Sequence, residues 1–328
     1  MADQENARIA RRYRGFVAEA APTSPLYARL AGEVADSDDV LSFLAALPPG
    51  KEQPNLLFAS LQLLHGAPAD GAELRRVVAT DGDRLRETML ARATQTNEPA
   101  RCGALLPVLA LLDGPLALVE VGASAGLCLY PDRYSYQYDG VPVGPDSPLQ
   151  LSVSTSGGVP VPRTVPAVVA RIGVDLNPLD PADPDVRAWL RALVWPGPAA
   201  EERLRRIDAV AEVARTEPAT MLTGDLLDRL PDALELAPEG CTVVVMHTAV
   251  LPYLTDAARA AFVARMDELP VRWLAQEAPG LVPGTEALQA DPRRPALVVS
   301  LDGRPLARSA PHGGWLEWLP DGLGASRE

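Results

Sequence analysis

Glu120, Gly122, Ser124 and Gly126 fall at every second position, directly after the apolar run LALV. Small residues in such a turn let a ligand approach the backbone closely, because a Cβ would collide with it. Further on, His247 ends the very apolar run VVVM, and an imidazole with an ordinary pKa of about 6.5 suits proton transfer at neutral pH. It reads either as a general base or as a histidine hydrogen-bonded to hold the next loop. Gln276 and Glu277 close the run RWLA and are expected to point into the same crevice as His247. They suit binding of a polar acceptor or orientation of His247, and equally a cap on the following turn. Tyr253 follows Pro252 in the loop after His247, where it lines an acceptor pocket or packs. The stretch TQTNEPAR breaks an otherwise helical pattern, and its Gln95, Asn97 and Arg101 are candidates for binding a polar substrate. Its other reading is a helix cap at Thr96 or Asn97 followed by Pro99.

Several chemistries find no support. Asp180, Asp183 and Asp185, like Asp225 and Asp228, read as loop or cap acids with no histidine near them in sequence, so no metal site is expected. There is no phosphate-binding P-loop and no GxSxG nucleophile elbow. The glycine spacing also differs from the GxGxxG of a dinucleotide site.

The elements that must carry these residues change character along the chain. Residues 1–112 read as a helical region: Ile9, Tyr13, Phe16 and Val17 share a helical face, and Ser24-Pro25 opens a second helix in the order cap then proline. DDVLSFLAAL and NLLFASLQLLHG add two more, separated by Pro48-Pro49-Gly50. Residues 113–328 read as an α/β domain. PLALVEVG, VARIGVDLNP, ATMLTGDLLD, GCTVVVMHT and VRWLAQEAP are short apolar strands ending in polar residues, alternating with helical stretches. Such strands imply a mostly parallel sheet covered on both faces. A ligand then sits at the strands' carboxyl ends, where strand order reverses. PALVVSLDGRPLARSAPHGGWLEWL reads as two closing antiparallel strands with Asp302-Gly303 as their turn, and Trp189 and Trp195 as helix packing. Residues 139–166, rich in Gly, Pro, Ser and Val, read as an inserted hairpin or lid.

The E-x-G-x-S-x-G pattern of Glu120, Gly122, Ser124 and Gly126 resembles motif I of class I S-adenosylmethionine-dependent methyltransferases, with Ser124 in place of the middle glycine. RIGVDLNP resembles their second strand, LTGDLLD their third and VVVMHTAVLPYL their fourth, in the right order. The resemblance implies a Rossmann-like sheet with an antiparallel last strand. It also implies S-adenosylmethionine as cofactor, with Asp175 on the ribose hydroxyls and Asp225 beside the adenine amino group. The segment before the first strand would fold over the methionine end, with Asn97 or Arg101 on its carboxylate. His247, with Glu277, would then serve the acceptor's proton. Two departures stand out: Pro131 cuts short the helix after the motif, and Asp175 lies far beyond Gly126 because of the 139–166 insertion. Nearly the whole chain also resembles a bacterial family of unknown function that joins an N-terminal helical region to this fold. The strings PPGKEQPNLLFAS, RATQTNEPARCGALLP, VEVGASAGL, DLNPLD, LRALVWP, GDLLDRLP and HTAVLPYL carry that likeness.

Charge narrows the partners. The chain has 328 residues, is 47% hydrophobic and 22% charged, and carries a formal charge of -13. Such an acidic surface repels phosphate backbones and anionic lipid, so nucleic acid and membrane are not expected as partners. Cys102, Cys128 and Cys241 are far apart in sequence and form no CxxC pair, which reads as a reduced, cytoplasmic chain. No signal peptide or bilayer-length apolar run is evident. The expectation is a transferase acting on a small-molecule substrate. A sulfuryl or other adenosine-bearing donor on the same fold, or a non-catalytic scaffold that binds a protein partner, is the alternative.

Overall fold

The computed structural model describes residues 2–95, 98–288 and 294–320. Five helices come first: α1 (Ala2–Ala20), α2 (Pro25–Ala35), α3 (Asp38–Ala45), α4 (Pro54–His65) and α5 (Gly71–Ala91). A 3-10 turn, Pro99–Arg101, leads into α6 (Cys102–Leu109) and strand β1 (Leu116–Val121). Three short strands follow, β2 (Ser135–Tyr138), β3 (Val141–Val143) and β4 (Gln150–Ser156), and then β5 (Val168–Asp175). Helices α7 (Pro184–Ala192) and α8 (Ala200–Thr216) precede β6 (Thr220–Thr223). Then α9 (Leu226–Glu235), β7 (Thr242–Thr248), α10 (Asp256–Glu268) and β8 (Arg272–Glu277) alternate. Strands β9 (Leu297–Leu301), β10 (Arg304–Ser309) and β11 (Trp315–Trp318) complete the described chain. Among the described residues, no helix is long and apolar enough to cross a membrane.

The chain forms two compact units, Met1–Thr96 with Asp183–Asp208, and Asn97–Ala182 with Ala209–Glu328. The first is helical. Ser24 caps α2 by accepting from the Tyr27 N–H at 3.3 Å, and Pro25 takes the first helical position, where its missing N–H costs nothing. Apolar faces meet at Phe58, which stacks on Tyr27 at 4.6 Å and meets Phe16 at 5.9 Å between ring centroids. Phe16 in turn packs edge-on against Trp195, and the Trp189 indole N–H donates to the Ala93 carbonyl at 3.2 Å. Both tryptophans therefore serve packing.

The second unit holds an 11-stranded mixed sheet in the order β3-β2-β4-β11-β10-β9-β8-β7-β1-β5-β6. Strands β6, β5, β1, β7 and β8 are mutually parallel. The chain steps from β1 to β5 on one side and later to β7 on the other, so strand order reverses at β1. All six residues of β1 are buried, as a strand covered on both faces requires. Beyond β8 the sheet turns antiparallel through β9, β10 and β11. Asp302 and Gly303 both have positive φ, 52° and 76°, the paired left-handed conformation of a tight hairpin turn. The terminal segment thus supplies three strands rather than two.

Residues 139–166 hold β3 and β4: β3 makes a hairpin with β2, which precedes the segment, and β4 pairs in parallel with both β11 and β2 and extends the sheet, so this part is sheet and no lid. Tyrosines decide this. Tyr134, Tyr136 and Tyr138 are buried, and their hydroxyls donate to the carbonyls of Leu127, Pro131 and Gly103 at 2.6, 2.6 and 2.8 Å. Three large apolar rings with satisfied hydroxyls anchor β2 in the core, and β3 and β4 pair with it.

Candidate functional site

The turn after β1 is left-handed at three residues, with φ of 67° at Gly122, 52° at Ser124 and 64° at Gly126. Ser124 holds this unfavourable conformation because its N–H donates to Asp175 Oδ2 at 2.8 Å. Asp175 Oδ1 accepts from the Asn177 N–H, also at 2.8 Å, so this one carboxylate ties the tip of β5 to the turn after β1. A Cβ on Gly122 would lie 2.5 Å from Val250 Cγ2, so the close approach that requires glycine there is made by Val250 of the chain itself. Residues 122–134 run through successive turns with no helix; three left-handed positions stop one before Pro131 is reached. The turn therefore lacks the helix dipole that favours an anion in such sites.

Two buried polar clusters flank the tip of β1, on opposite faces of the sheet. Glu120 is in register with Met246, and Thr248 with Gln276, so Glu120, Thr248 and Gln276 share one face. His247 is in register with Ala275, which puts His247 and Glu277 on the other face. The expectation that Gln276 and Glu277 point into one crevice is thus corrected: neighbouring strand residues alternate sides.

On the first face, Arg101 is buried. Its Nε donates to the Pro311 carbonyl and its Nη1 to the Thr248 carbonyl and Oγ1, all at 3.0 Å. It makes no ion pair among the described residues. Glu120 is 4% exposed, and its Oε2 has no hydrogen-bond partner. Burial, then Cys128, pushes its carboxyl well above the ordinary range; Arg101 opposes this and Asp175 adds to it. Gln276 Nε2 donates to Ser309 Oγ at 2.7 Å, while its Oε1 is buried without a partner.

On the second face, His247 is fully buried and both ring nitrogens are engaged. The Trp273 indole N–H, which can only donate, reaches Nε2 at 2.9 Å. Nε2 is therefore the acceptor, and Nδ1 carries the hydrogen toward Glu277 Oε1 at 2.7 Å. The same Oε1 accepts from the Val250 and Leu251 N–H groups at 2.7 and 3.2 Å. Phe262 closes the cluster edge-on against both rings. His247 has no nitrogen left for a substrate proton. Here the histidine orients Glu277, and Glu277 holds the loop after β7.

The remaining candidates scatter. Asp225 is the N-cap of α9, accepting from the Leu227 N–H at 2.9 Å, and is exposed. Tyr253 lies in the 3-10 turn Leu251–Tyr253 and is 76% exposed. Gln95 is half-buried in the first unit, whereas Arg101 belongs to the second. Asn97 lies outside the described residues. Cys102 and Cys128 are neighbours, a proximity that 25 intervening residues conceal in the sequence.

Glu120 makes a pH signature. Its folded-state pKa is raised, so its contribution to stability is complete below the ordinary glutamate range and lost as pH rises toward the folded value. Wild-type protein is expected to lose up to about 1.4 kcal/mol per pH unit across that window through this one group. Glu120→Gln removes the slope, so the variant gains on wild type as pH rises. Urea midpoints at stepped pH measure it, and parallel curves for the two proteins refute it.

Residues 10–318 match the sequence model of a family described as "Uncharacterized protein conserved in bacteria (DUF2332)". No curated protein and no solved structure matches the chain.

Proposed function

We propose that this chain, which belongs to the DUF2332 family, binds an adenosine-bearing cofactor over the carboxyl ends of β1, β5 and β7, S-adenosylmethionine in the first instance, and transfers a methyl group to a small-molecule acceptor. One observation carries the reading. At the point where strand order reverses, a buried carboxyl, Glu120, keeps an oxygen that has no partner among the described residues, on the same face as a buried guanidinium that makes no ion pair among them. Crevices at such reversals take ligands in open α/β sheets, and an orphaned buried acceptor is costly unless something completes it. Glu120 and Arg101 would face the ligand, with Asp175 and Asp225 at the tips of the next two strands and Ser124 in the turn between them. The cofactor supplies an already activated methyl group, so the protein's part is alignment and exclusion of water. His247 removes no proton in this scheme, because both its nitrogens are spent inside the fold. The acceptor is accordingly one that reacts without a general base from β7.

A second reading, a ligand-binding scaffold without catalysis, draws on that same engagement of His247 and on Val250 filling the space beside Gly122. Calorimetric titration with S-adenosylmethionine and with its demethylated product tests both. Saturable heat from each ligand, reduced at least tenfold in affinity by Glu120→Ala with the fold intact, supports cofactor binding. No heat from either on folded wild-type protein ends the cofactor proposal. Binding without turnover across an acceptor panel favours the scaffold.

A further inference from the structure

The turn between β10 and β11 brings a histidine to the sheet edge where β7 and β8 end. In register, Thr248 faces Gln276 across β7 and β8, Glu277 faces Val298 on β9, and Leu297 faces Ser309 on β10. Residues 310–314 therefore leave the sheet at the carboxyl ends of β7 and β8. Arg101 bridges the two: its Nη1 holds the Thr248 carbonyl at the tip of β7 and its Nε the Pro311 carbonyl, both at 3.0 Å. The segment also rests on the 3-10 turn Pro99–Arg101. A Cβ on Gly313, whose φ is 76°, would lie 2.6 Å from Ala100 Cβ and 2.8 Å from the Ala100 carbonyl oxygen, so the approach requires glycine. Between these anchors stands His312, its side chain 47% exposed and its Nδ1 3.9 Å from Glu98 Oε2. Glu98 is 3% exposed, and its other oxygen, Oε1, accepts from the Ala100 N–H at 3.2 Å. A solvent-reaching imidazole thus stands against a buried carboxyl group that the backbone holds in place.

We propose that His312 is the base that takes the acceptor's proton and that Glu98 positions it. The inference rests on the methyl-transfer reading above and supplies the proton acceptor that β7 does not, since both nitrogens of His247 are engaged. An ionised carboxyl group can only accept, so Glu98 favours the tautomer with hydrogen on Nδ1 and leaves Nε2, across the ring, as the basic atom. At 3.9 Å the contact is ion-pair reach, longer than a hydrogen bond, and catalytic contacts of this kind often tighten only when substrate binds. In the step, an oxygen or nitrogen of the acceptor gives its proton to Nε2 and its lone pair to the methyl carbon. The bond from that carbon to sulfur breaks, and its electron pair stays on sulfur. His312 then returns the proton to water, which its exposure permits. The acceptor class is accordingly a small molecule whose O–H or N–H needs a base.

Diethyl pyrocarbonate acylates neutral imidazoles, and the chain has three histidines, which peptide mass spectrometry tells apart. Full-length protein is expected to react at His312 and not at the buried His247. His65, partly exposed and paired with Asp81, is the internal control. Saturating S-adenosylmethionine is expected to slow labelling of His312 by about threefold or more, as a ligand seated beside it would, and to leave His65 unchanged. His312→Gln is expected to give the wild-type calorimetric heat with S-adenosylmethionine, yet to methylate an O–H or N–H acceptor about a hundredfold more slowly. The wild-type rate is expected to rise with pH through one ionisation that is absent from His312→Gln. In Glu98→Gln that rise moves to lower pH, which a purely structural role does not produce. Heat of binding with no slowing at His312, or undiminished transfer by His312→Gln, overturns the base and leaves the cofactor reading standing. Binding without transfer to any acceptor of the panel overturns it in favour of the scaffold. No heat from either ligand ends the cofactor reading itself, and this inference with it. The His312 measurements decide the matter even if Glu98→Gln fails to fold.

Discussion

Replacing Glu277 with alanine lowers the unfolding free energy by about 3–5 kcal/mol, because three donors, two of them buried, lose their acceptor together. Those donors are His247 Nδ1 and the backbone N–H groups of Val250 and Leu251, all within 3.2 Å of Oε1. Two of them cannot turn to water, since His247 and Glu277 are no more than 1% exposed and Leu251 is buried as well. Glu277→Gln keeps an acceptor oxygen of nearly the same shape and costs less, about 1–2 kcal/mol. The order alanine worse than glutamine follows from counting hydrogen bonds and not from loss of chemistry. Urea unfolding with an unchanged m-value measures it. A loss under about 1 kcal/mol for Glu277→Ala would mean that the loop after β7 is held by something else.

That cluster also marks where the sequence stops being readable. Its members are visible as types at strand ends, and both alternatives for His247, base or loop holder, follow from the residues alone. Choosing between them needs the register of β7 against β8 and the presence of Trp273, a position that reads as plain apolar filling. The alternating apolar strands, the proline-led start of α2 and the Asp302-Gly303 turn are legible because each is decided within a few residues. The parallel order around β1 follows from strands separated by helices. What is not legible is decided by distant partners. Val250 lies 128 positions after the glycine it packs against. The tyrosines that draw residues 135–156 into the sheet are aromatic residues like any others until Gly103, Leu127 and Pro131 are placed beneath their hydroxyls. The division of the strand-tip residues between two faces is the most consequential of these. It separates Glu120 and Gln276 from His247 and Glu277, and it leaves the Glu120 face with a carboxyl and a guanidinium where an imidazole was expected.

The second large effect lies in β5, where the apolar run VARIGV conceals a buried arginine. Arg171 Nη1 donates to Asp132 Oδ1 and to the Leu129 carbonyl at 2.7 Å, and Nη2 to Asp132 Oδ2 at 2.9 Å. The guanidinium lies 5.0 Å from the centre of the Tyr130 ring, and the Tyr130 hydroxyl accepts from the Ala219 N–H at 3.0 Å. This single side chain therefore gathers the 129–132 turn that stands where a helix was expected. Arg171→Met leaves Asp132, 5% exposed, with the surface Arg133 as its one ion-pair partner among the described residues, and is expected to cost about 3–5 kcal/mol. Removing Asp132 as well, in Arg171→Met/Asp132→Asn, is expected to restore at least about 1 kcal/mol, because the stranded charge goes with it. Glu217, on the outer side of the network, adds little: burial works to raise its pKa, Arg133 and Arg171 hold it below the ordinary range, and solvent screens it. Its share is present above the ordinary carboxylate range and fades as pH falls through that lowered value. The same turn carries Cys128. Loosening it in Arg171→Met should therefore speed alkylation of Cys128 by iodoacetamide under native conditions while leaving Cys241 unchanged. Equal acceleration at both cysteines would point to global unfolding, and an unchanged Cys128 rate would show that Arg171 does not hold the segment that carries Cys128.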